Sequence, residues 1–247
     1  MARSVERKEL LPVSITARDL DDAWFQLIDA LMTHGYRYEV ERGSYEGTDR
    51  IELDFATVLV KDPGSGPLLP IIPEGLGIPP LADEDYVKCE YFPGYLLSDQ
   101  LQPNEEYTYG QRIMQPVADD LLGLTLPQVE WAIRMLKESG GNTNQATIEI
   151  GRPEDITVHD NKGVGYDPPC MRLIDCRVRY GKLHLIVYFR SWDAWGGFPV
   201  NMAGLELMKQ WMAEEIGVGS GSLIGVSKGL HLYGHVEEIA KIRTHRV

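Results

Sequence analysis

Residues 167–201 read DPPCMRLIDCRVRYGKLHLIVYFRSWDAWGGFPVN. Cys170 follows Pro168 and Pro169, which restrict the chain that enters it. A strand-type run then extends through Arg177 to Phe189, with Leu183, Ile186 and Tyr188 among its apolar members. Arg190 falls where that strand leaves the sheet. Beyond it lie a polar, aromatic and glycine-containing turn and a helix that opens at Asn201. Attack on carbon by sulfur needs one fixed cysteine, a cation that favours its thiolate, and polar groups that hold the substrate. Cys170 is therefore the candidate nucleophile and Arg190 its cation. Cys89 and Cys176 read as small buried hydrophobes.

Upstream, Leu20, Ala23, Trp24, Leu27, Ile28 and Leu31 recur at helical spacing. Thr16 or Asp19 can cap this helix and Gly35 can end it. Strand-like segments follow, around a polar turn from Arg42 to Arg50. The Pro/Gly-dense segment 63–81 carries enough apolar residues to predict an irregular but ordered loop. Asp83 to Ser98 reads as a helix weakened by Pro93 and Gly94. Pro127 opens a second helix with Val129, Ala132, Ile133 and Leu136 on one face, stopped at Gly140–Gly141. Gln145 to Ile150 is a short strand, and Arg152–Pro153 turns the chain toward the cysteine. The helix from Asn201 carries Leu205, Met208, Trp211 and Met212 on one stripe, and a strand and short helix complete the order. Without regular βαβ alternation, the expected class is α+β: a large mixed sheet covered by helices, in one domain behind a polar arm of about twelve residues.

A formal net charge of −13 excludes the basic footprint of a nucleic-acid or membrane-surface binder, but leaves room for a small anionic ligand held by a few arginines. Three cysteines make no disulfide framework, and no long apolar segment spans a membrane or leads the chain. The expected location is the cytoplasm. His231 and His235 are four apart, but HLYGH contains a glycine and continues a strand pattern, which argues against a metal pair.

Taken in order, Pro168-Pro169-Cys170, Arg190-Ser191-Trp192-Asp193, Gly197-Phe198-Pro199, Asn201 and His231-Leu232-Tyr233 resemble the catalytic half of the thymidylate synthase family, which includes the pyrimidine hydroxymethylases. Tyr109-Gly110 and Arg152-Pro153-Glu154-Asp155 are similar to two further segments of it. The likeness covers roughly the last 140 residues. It is strongest to the shorter, archaeal members in YTYG, SWDxWxGFP and SKGLHLY.

The resemblance implies a homodimer that uses 5,10-methylenetetrahydrofolate or a related reduced pterin as co-substrate and a pyrimidine nucleoside monophosphate as substrate. Cys170 would add to carbon 6 of the base. Arg190 and Ser191 would hold phosphate, with Arg42 a second phosphate ligand. Asn201 would read the N3/O4 edge, and His231 and Tyr233 the ribose. Asp193 and Gly197 would contact the pterin, and Glu90 would organise proton transfer. A neutral amide at 201 suits uracil; a carboxylate would suit cytosine.

Departures from the family pattern are also expected to matter. Asn144-Gln145 stands where partner-subunit arginines usually reach the phosphate, Met171 replaces a histidine, Asp175 replaces a glutamine, and the C-terminal folate lid is not evident. The reaction expected is reductive methylation of dUMP. The alternatives are 5-hydroxymethylation of a pyrimidine nucleotide and a catalytically idle nucleotide-binding relative.

Overall fold

This computed structural model describes residues 9–41, 45–101, 103, 107–160 and 168–246. Strand β1 (Pro12–Ala17) lies within the segment read as a polar arm and its immediate continuation. Helix α1 (Leu20–His34) begins at Asp19, whose carboxylate accepts the Asp22 N–H, satisfying one orphan donor of the first turn. It buries the six apolar residues expected of it. Strands β2 (Tyr36–Glu39), β3 (Asp49–Leu53) and β4 (Phe55–Val60) follow. The segment 63–81 is irregular, yet Leu69 and Ile78 are buried.

The next helix departs from the regular one expected. One turn, α2 (Glu84–Tyr86), runs into a π-helix over Val87–Leu96 that contains Pro93. Proline has no N–H for the i−4 carbonyl and clashes with it in an α-helix. The wider helix accommodates it, closing with the Leu97 N–H on the Phe92 carbonyl at 3.2 Å. Cys89 on this helix is exposed rather than buried, whereas Cys176 is buried as expected.

A four-residue helix, α3 (Gly110–Ile113), precedes the β5 (Pro116–Asp119) and β6 (Leu124–Pro127) hairpin. Helix α4 (Gln128–Glu138) starts after Pro127. Strand β7 (Thr147–Glu149) is followed by a 3-10 segment, Pro153–Asp160. Strands β8 (Met171–Arg179) and β9 (Lys182–Phe189) form a hairpin turned by Tyr180 and Gly181 at φ 54° and 70°, the geometry that matches strand twist. Strand β8 thus begins at Met171, earlier than the sequence reading. Strand β10 (Trp192–Asp193) leads into α5 (Gly197–Ile216). That helix starts four residues before Asn201, which is therefore not its N-cap. Two strands, β11 (Gly219–Ser227) and β12 (Leu230–Tyr233), stand where one was expected, ahead of α6 (Glu237–Arg243).

The main sheet has six strands in the order β1-β4-β11-β9-β8-β7, mixing parallel and antiparallel pairs. One set of alternating side chains is buried with α1, α4 and α5, including Val58, Val60, Leu185, Val187 and Leu223. The expected α+β architecture is the one observed. Strand β11 bulges between Ser220 and Leu223, and the freed backbone groups are met by side chains. His184 Nδ1 accepts the Ser222 N–H at 3.0 Å, and the buried Lys209, paired with Glu206 at 2.7 Å, donates to the Gly221 carbonyl. A smaller sheet, β10-β12-β3-β2, packs beside the first and carries the other side of the candidate site.

Candidate active site

The β8–β9 hairpin explains how residues twenty apart meet. Its open end pairs Met171 with Phe189, and the Arg190 N–H donates to the Cys170 carbonyl at 2.8 Å. The Arg190 guanidinium donates to the Pro168 carbonyl, so the arginine clamps the double-proline turn that carries the thiol. Cys170 itself is half-buried at the core's edge. Behind it, Asp155 pairs with Arg172 at 2.7 Å and Arg112 at 3.3 Å and accepts the Arg152 N–H at 2.9 Å. Burial opposes ionisation of Asp155, but that N–H and the two guanidiniums prevail and hold its carboxyl below the usual range.

From Arg190 the chain passes through Ser191 into β10, where Asp193 stands opposite His231 of β12. The Asp193 carboxylate accepts backbone N–H groups from Trp195 (3.0 Å), Gly196 (3.1 Å) and Gly197 (3.1 Å), fixing the start of α5. A carboxylate offers about four acceptor positions. The three bonds leave one acceptor position for a ligand beside the capping role. Helix α1 supports this turn from below, with the Trp24 indole donating to the Ala194 carbonyl at 2.9 Å.

Asn201 is held from both ends of its amide. The Trp192 indole donates to its Oδ1 at 3.0 Å, and its Nδ2 donates to the Tyr91 hydroxyl at 2.7 Å. Two glycines make room for these partners. A Cβ on Gly225 would sit 2.6 Å from the Trp192 ring, and one on Gly204 would sit 2.6 Å from the Tyr91 ring. The clamp sets which end of the amide is donor and which acceptor, and leaves each with capacity for a further bond.

Tyr91 also begins an aromatic wall. Its ring stacks on Tyr95 at 5.3 Å, Tyr95 meets Tyr109 edge-on at 5.3 Å, and Tyr109 lies 5.7 Å from Tyr107. The Tyr107 hydroxyl accepts the Cys170 N–H at 3.3 Å and the Tyr109 hydroxyl accepts the Met171 N–H at 3.4 Å. The wall therefore runs from Asn201 to Cys170.

On the other flank, buried His231 places Nδ1 2.9 Å from the Gly229 carbonyl. A carbonyl only accepts, so Nδ1 carries the proton and Nε2 is a bare acceptor. Nε2 is buried without a partner among the described residues. Burial, together with the charge of Arg50, pushes the imidazole from its ordinary 6.5 down to about 4. The ring T-stacks on Tyr233 at 4.9 Å, and Arg50 donates to the Tyr233 hydroxyl at 3.3 Å. A neutral, orphaned acceptor suits a hydroxyl donor from a ligand.

One consequence is measurable. As pH falls through 6.5 the unfolded chain protonates this histidine, while the folded chain waits until about 4. The unfolded state binds more protons in that window, so stability falls on acidification by up to ~1.4 kcal/mol per pH unit. Urea unfolding at stepped pH should show this slope, and His231→Gln should flatten it. An identical slope in the variant would show that His231 is not held neutral.

Cys170, Arg190, Ser191, Asp193, Gly197, Asn201, His231 and Tyr233 are thus brought into one continuous arrangement. Glu90 is exposed; the residue of its helix that reaches Asn201 is its neighbour Tyr91. Arg42 lies outside the described residues. The sequence reading missed Arg50, Tyr91, Tyr107 and Trp192 as site residues. Only the i, i+4 pair Tyr91 and Tyr95 left a trace, an aromatic face on a helix that otherwise looked poor. Two surface cavities of about 390 and 320 Å³, lined around Asn142–Gln145 with Arg179 and around Val117 with Trp131, contain none of these residues. Among the described residues, no helix is long and apolar enough to cross a membrane.

Residues 102–246 match the family model of thymidylate synthase. A Methanosarcina acetivorans protein provisionally named thymidylate synthase is 31% identical over 231 residues, 92% of this chain and 94% of that protein. A Methanothermobacter marburgensis protein of the same provisional name is 29% identical over 225 residues, 89% of this chain and 92% of its own. Among solved structures, the thermostable thymidylate synthase A of Bacillus subtilis matches with a TM-score of 0.69 over 92% of this chain and 84% of that one, at 17% identity. That last likeness speaks for the fold. With more than half its length matched to one family model and nearly all of it aligned to a relative named for the same family, the chain belongs to the thymidylate synthase family.

Proposed function

We propose that the protein transfers a one-carbon unit from 5,10-methylenetetrahydrofolate, or a related reduced pterin, to carbon 5 of dUMP through a covalent bond from Cys170 to carbon 6. The observation that carries this reading is the aromatic wall that joins Cys170 to the clamped amide of Asn201. It joins the Cys170 turn to the Asn201 amide along one surface, which supports attack on one edge of a pyrimidine by the first and recognition of another edge by the second. Carbon 5 of uracil is a poor nucleophile. Addition of the thiolate at carbon 6 moves the C5=C6 electron pair toward carbon 5 and O4, and Asn201 Nδ2 can donate to that oxygen as charge grows. Carbon 5 would then bond the one-carbon unit and lose its proton, the bond from that unit to the pterin nitrogen would break, hydride would complete the methyl group, and the Cys170 sulfur would leave as C5=C6 re-forms.

Arg190 and Ser191 hold the phosphate, with Arg42 a further ligand, and His231 Nε2 accepts from a sugar hydroxyl beside Tyr233. Asp193 and Gly197 would hold the pterin, which supplies the one-carbon unit and, for a methyl product, hydride. Glu90 keeps the proton-transfer role that the resemblance implies.

The test is release of tritium from 5-tritiated dUMP and, separately, dCMP in the presence of methylenetetrahydrofolate. Release from dUMP with a product heavier by a methyl group is the expected result. A hydroxymethyl product would mean that water, not hydride, completes the reaction. No release from either nucleotide would overturn the transferase reading in favour of a nucleotide-binding relative.

We further infer a cytoplasmic homodimer joined through the second face of the main sheet. Leu59, Leu173, Ile186, Tyr188, Ile224 and Val226 lie on the alternate positions of its strands and are half-buried. Light scattering should give twice the 27.8 kDa chain mass; a monomer would remove this inference.

A further inference from the structure

We infer that Tyr107 is a catalytic hydrogen-bond donor to the Cys170 sulfur, a role that rests on the reading of Cys170 as nucleophile. The Tyr107 oxygen accepts the Cys170 N–H at 3.3 Å, which occupies a lone pair and leaves the hydroxyl proton to be directed elsewhere. That bond sets the phenol beside the Cys170 side chain, whose charge when ionised raises the phenol further. Its ring is fixed against Tyr109 at 5.7 Å and Tyr95 at 6.4 Å, so the hydroxyl is pre-set rather than searching. Burial raises the phenol well above its ordinary value, and proximity to the sulfur adds to that, so Tyr107 stays protonated and remains a donor. The described titratable or charged groups about the thiol are Tyr107 and Tyr109 before and at the start of α3, Arg172 on β8 and Arg190 after β9. Arg190 is engaged with the Pro168 carbonyl and Arg172 with Asp155. Tyr107 carries the neutral hydroxyl of the set that is bonded to Cys170, through the Cys170 N–H, and whose proton is left to turn to the sulfur.

The donor acts on both halves of the covalent cycle. Before addition it favours the thiolate over the thiol. As the sulfur–carbon bond forms, the sulfur's charge passes to the pyrimidine and the phenol's hydrogen bond weakens, with no proton transferred. When that bond breaks, the departing thiolate regains the donor. Lowering a thiol pKa by one unit multiplies the thiolate population at neutral pH by roughly ten. The same unit costs only about threefold in intrinsic nucleophilicity, so the population gain wins.

The test is the pH profile of Cys170 alkylation by iodoacetamide. It is followed by mass spectrometry of the Cys170 peptide in a Cys89→Ser background, because Cys89 is exposed. Tyr107→Phe keeps the ring and removes the donor. The alkylation midpoint should rise by about one pH unit, and the high-pH plateau should hold or rise up to about threefold. Replacing Tyr107 by 3,5-difluorotyrosine, a stronger donor of nearly the same shape, should move the midpoint down. A midpoint that neither substitution moves would overturn the inference. No nucleotide is needed, so the two readings fail separately. An unmoved midpoint with intact tritium release sinks the Tyr107 role alone. A moved midpoint without release from any pyrimidine sinks only the transferase reading.

Discussion

Serine at position 170 lowers tritium release from 5-tritiated dUMP by more than about 10⁴-fold, the scale seen when a covalent nucleophile is removed from a site that otherwise stays intact. The size of the effect follows from what surrounds the sulfur. The Arg190 guanidinium fixes the double-proline turn that carries the sulfur, and the Tyr107 hydroxyl, the donor inferred above, is bonded to the Cys170 N–H. A thiol with a pKa near 8.5 yields a thiolate there at modest cost, whereas an alcohol remains protonated and presents a weak nucleophile to carbon 6. Cys170→Ser should still fold, because the residue is half-buried at the edge of the core and its backbone bonds to Arg190 and Tyr107 use main-chain atoms. Affinity for dUMP, measured by calorimetry, should stay within about threefold, since the phosphate, base-edge and sugar contacts are made by other residues. Full turnover in the serine variant would remove Cys170 from the mechanism.

How much of this was legible in the sequence depended on whether a contact is made along the chain or across it. The helix from Leu20 was readable because one helix face buries six spaced residues, whatever else the chain does. The partnership of Cys170 with Arg190 was readable because a hairpin brings together residues that flank it. Arg50 was not readable. It meets Tyr233 only through the antiparallel register of β3 with β12, residues 183 apart, and nothing in either segment announces that register. Tyr107 was hidden for a related reason, since its role depends on a segment before α3 folding against the start of β8. The π-helix was missed because Pro93 argues for a break, and sequence periodicity has no ready sign for a widened turn. Asp193 and Asn201 show a local role hidden behind the ligand contact that the resemblance implies: the structure gives Asp193 three capping bonds and still leaves an acceptor position, and gives Asn201 a clamp rather than a place at the helix start.

That clamp makes Asn201→Asp the most informative change of substrate preference. A carboxylate fits the same two partners. The Trp192 indole still donates to one oxygen, and the Tyr91 hydroxyl, which accepts from the amide, turns to donate to the other. The fold should therefore tolerate the change, and Tm should move little. The free capacity of the group changes in kind, however. The amide has one spare N–H for uracil O4 and one spare lone pair for the N3 proton; the carboxylate has lone pairs only. Facing uracil, it sets an anion against O4 and leaves that oxygen without a donor as negative charge grows on it. Facing cytosine, it accepts from the exocyclic amine. Sites built around a hydrogen bond reject the mismatched partner by up to ~10⁴–10⁵-fold. The partly open and clamped geometry here supports a shift of about 10²–10⁴-fold in the ratio of kcat/KM for dUMP to that for dCMP. Paired tritium-release assays on the two nucleotides measure that ratio directly. If it is unchanged while the variant remains folded and active, the base edge is read elsewhere, and Asn201 serves only to hold Trp192 and Tyr91 in place.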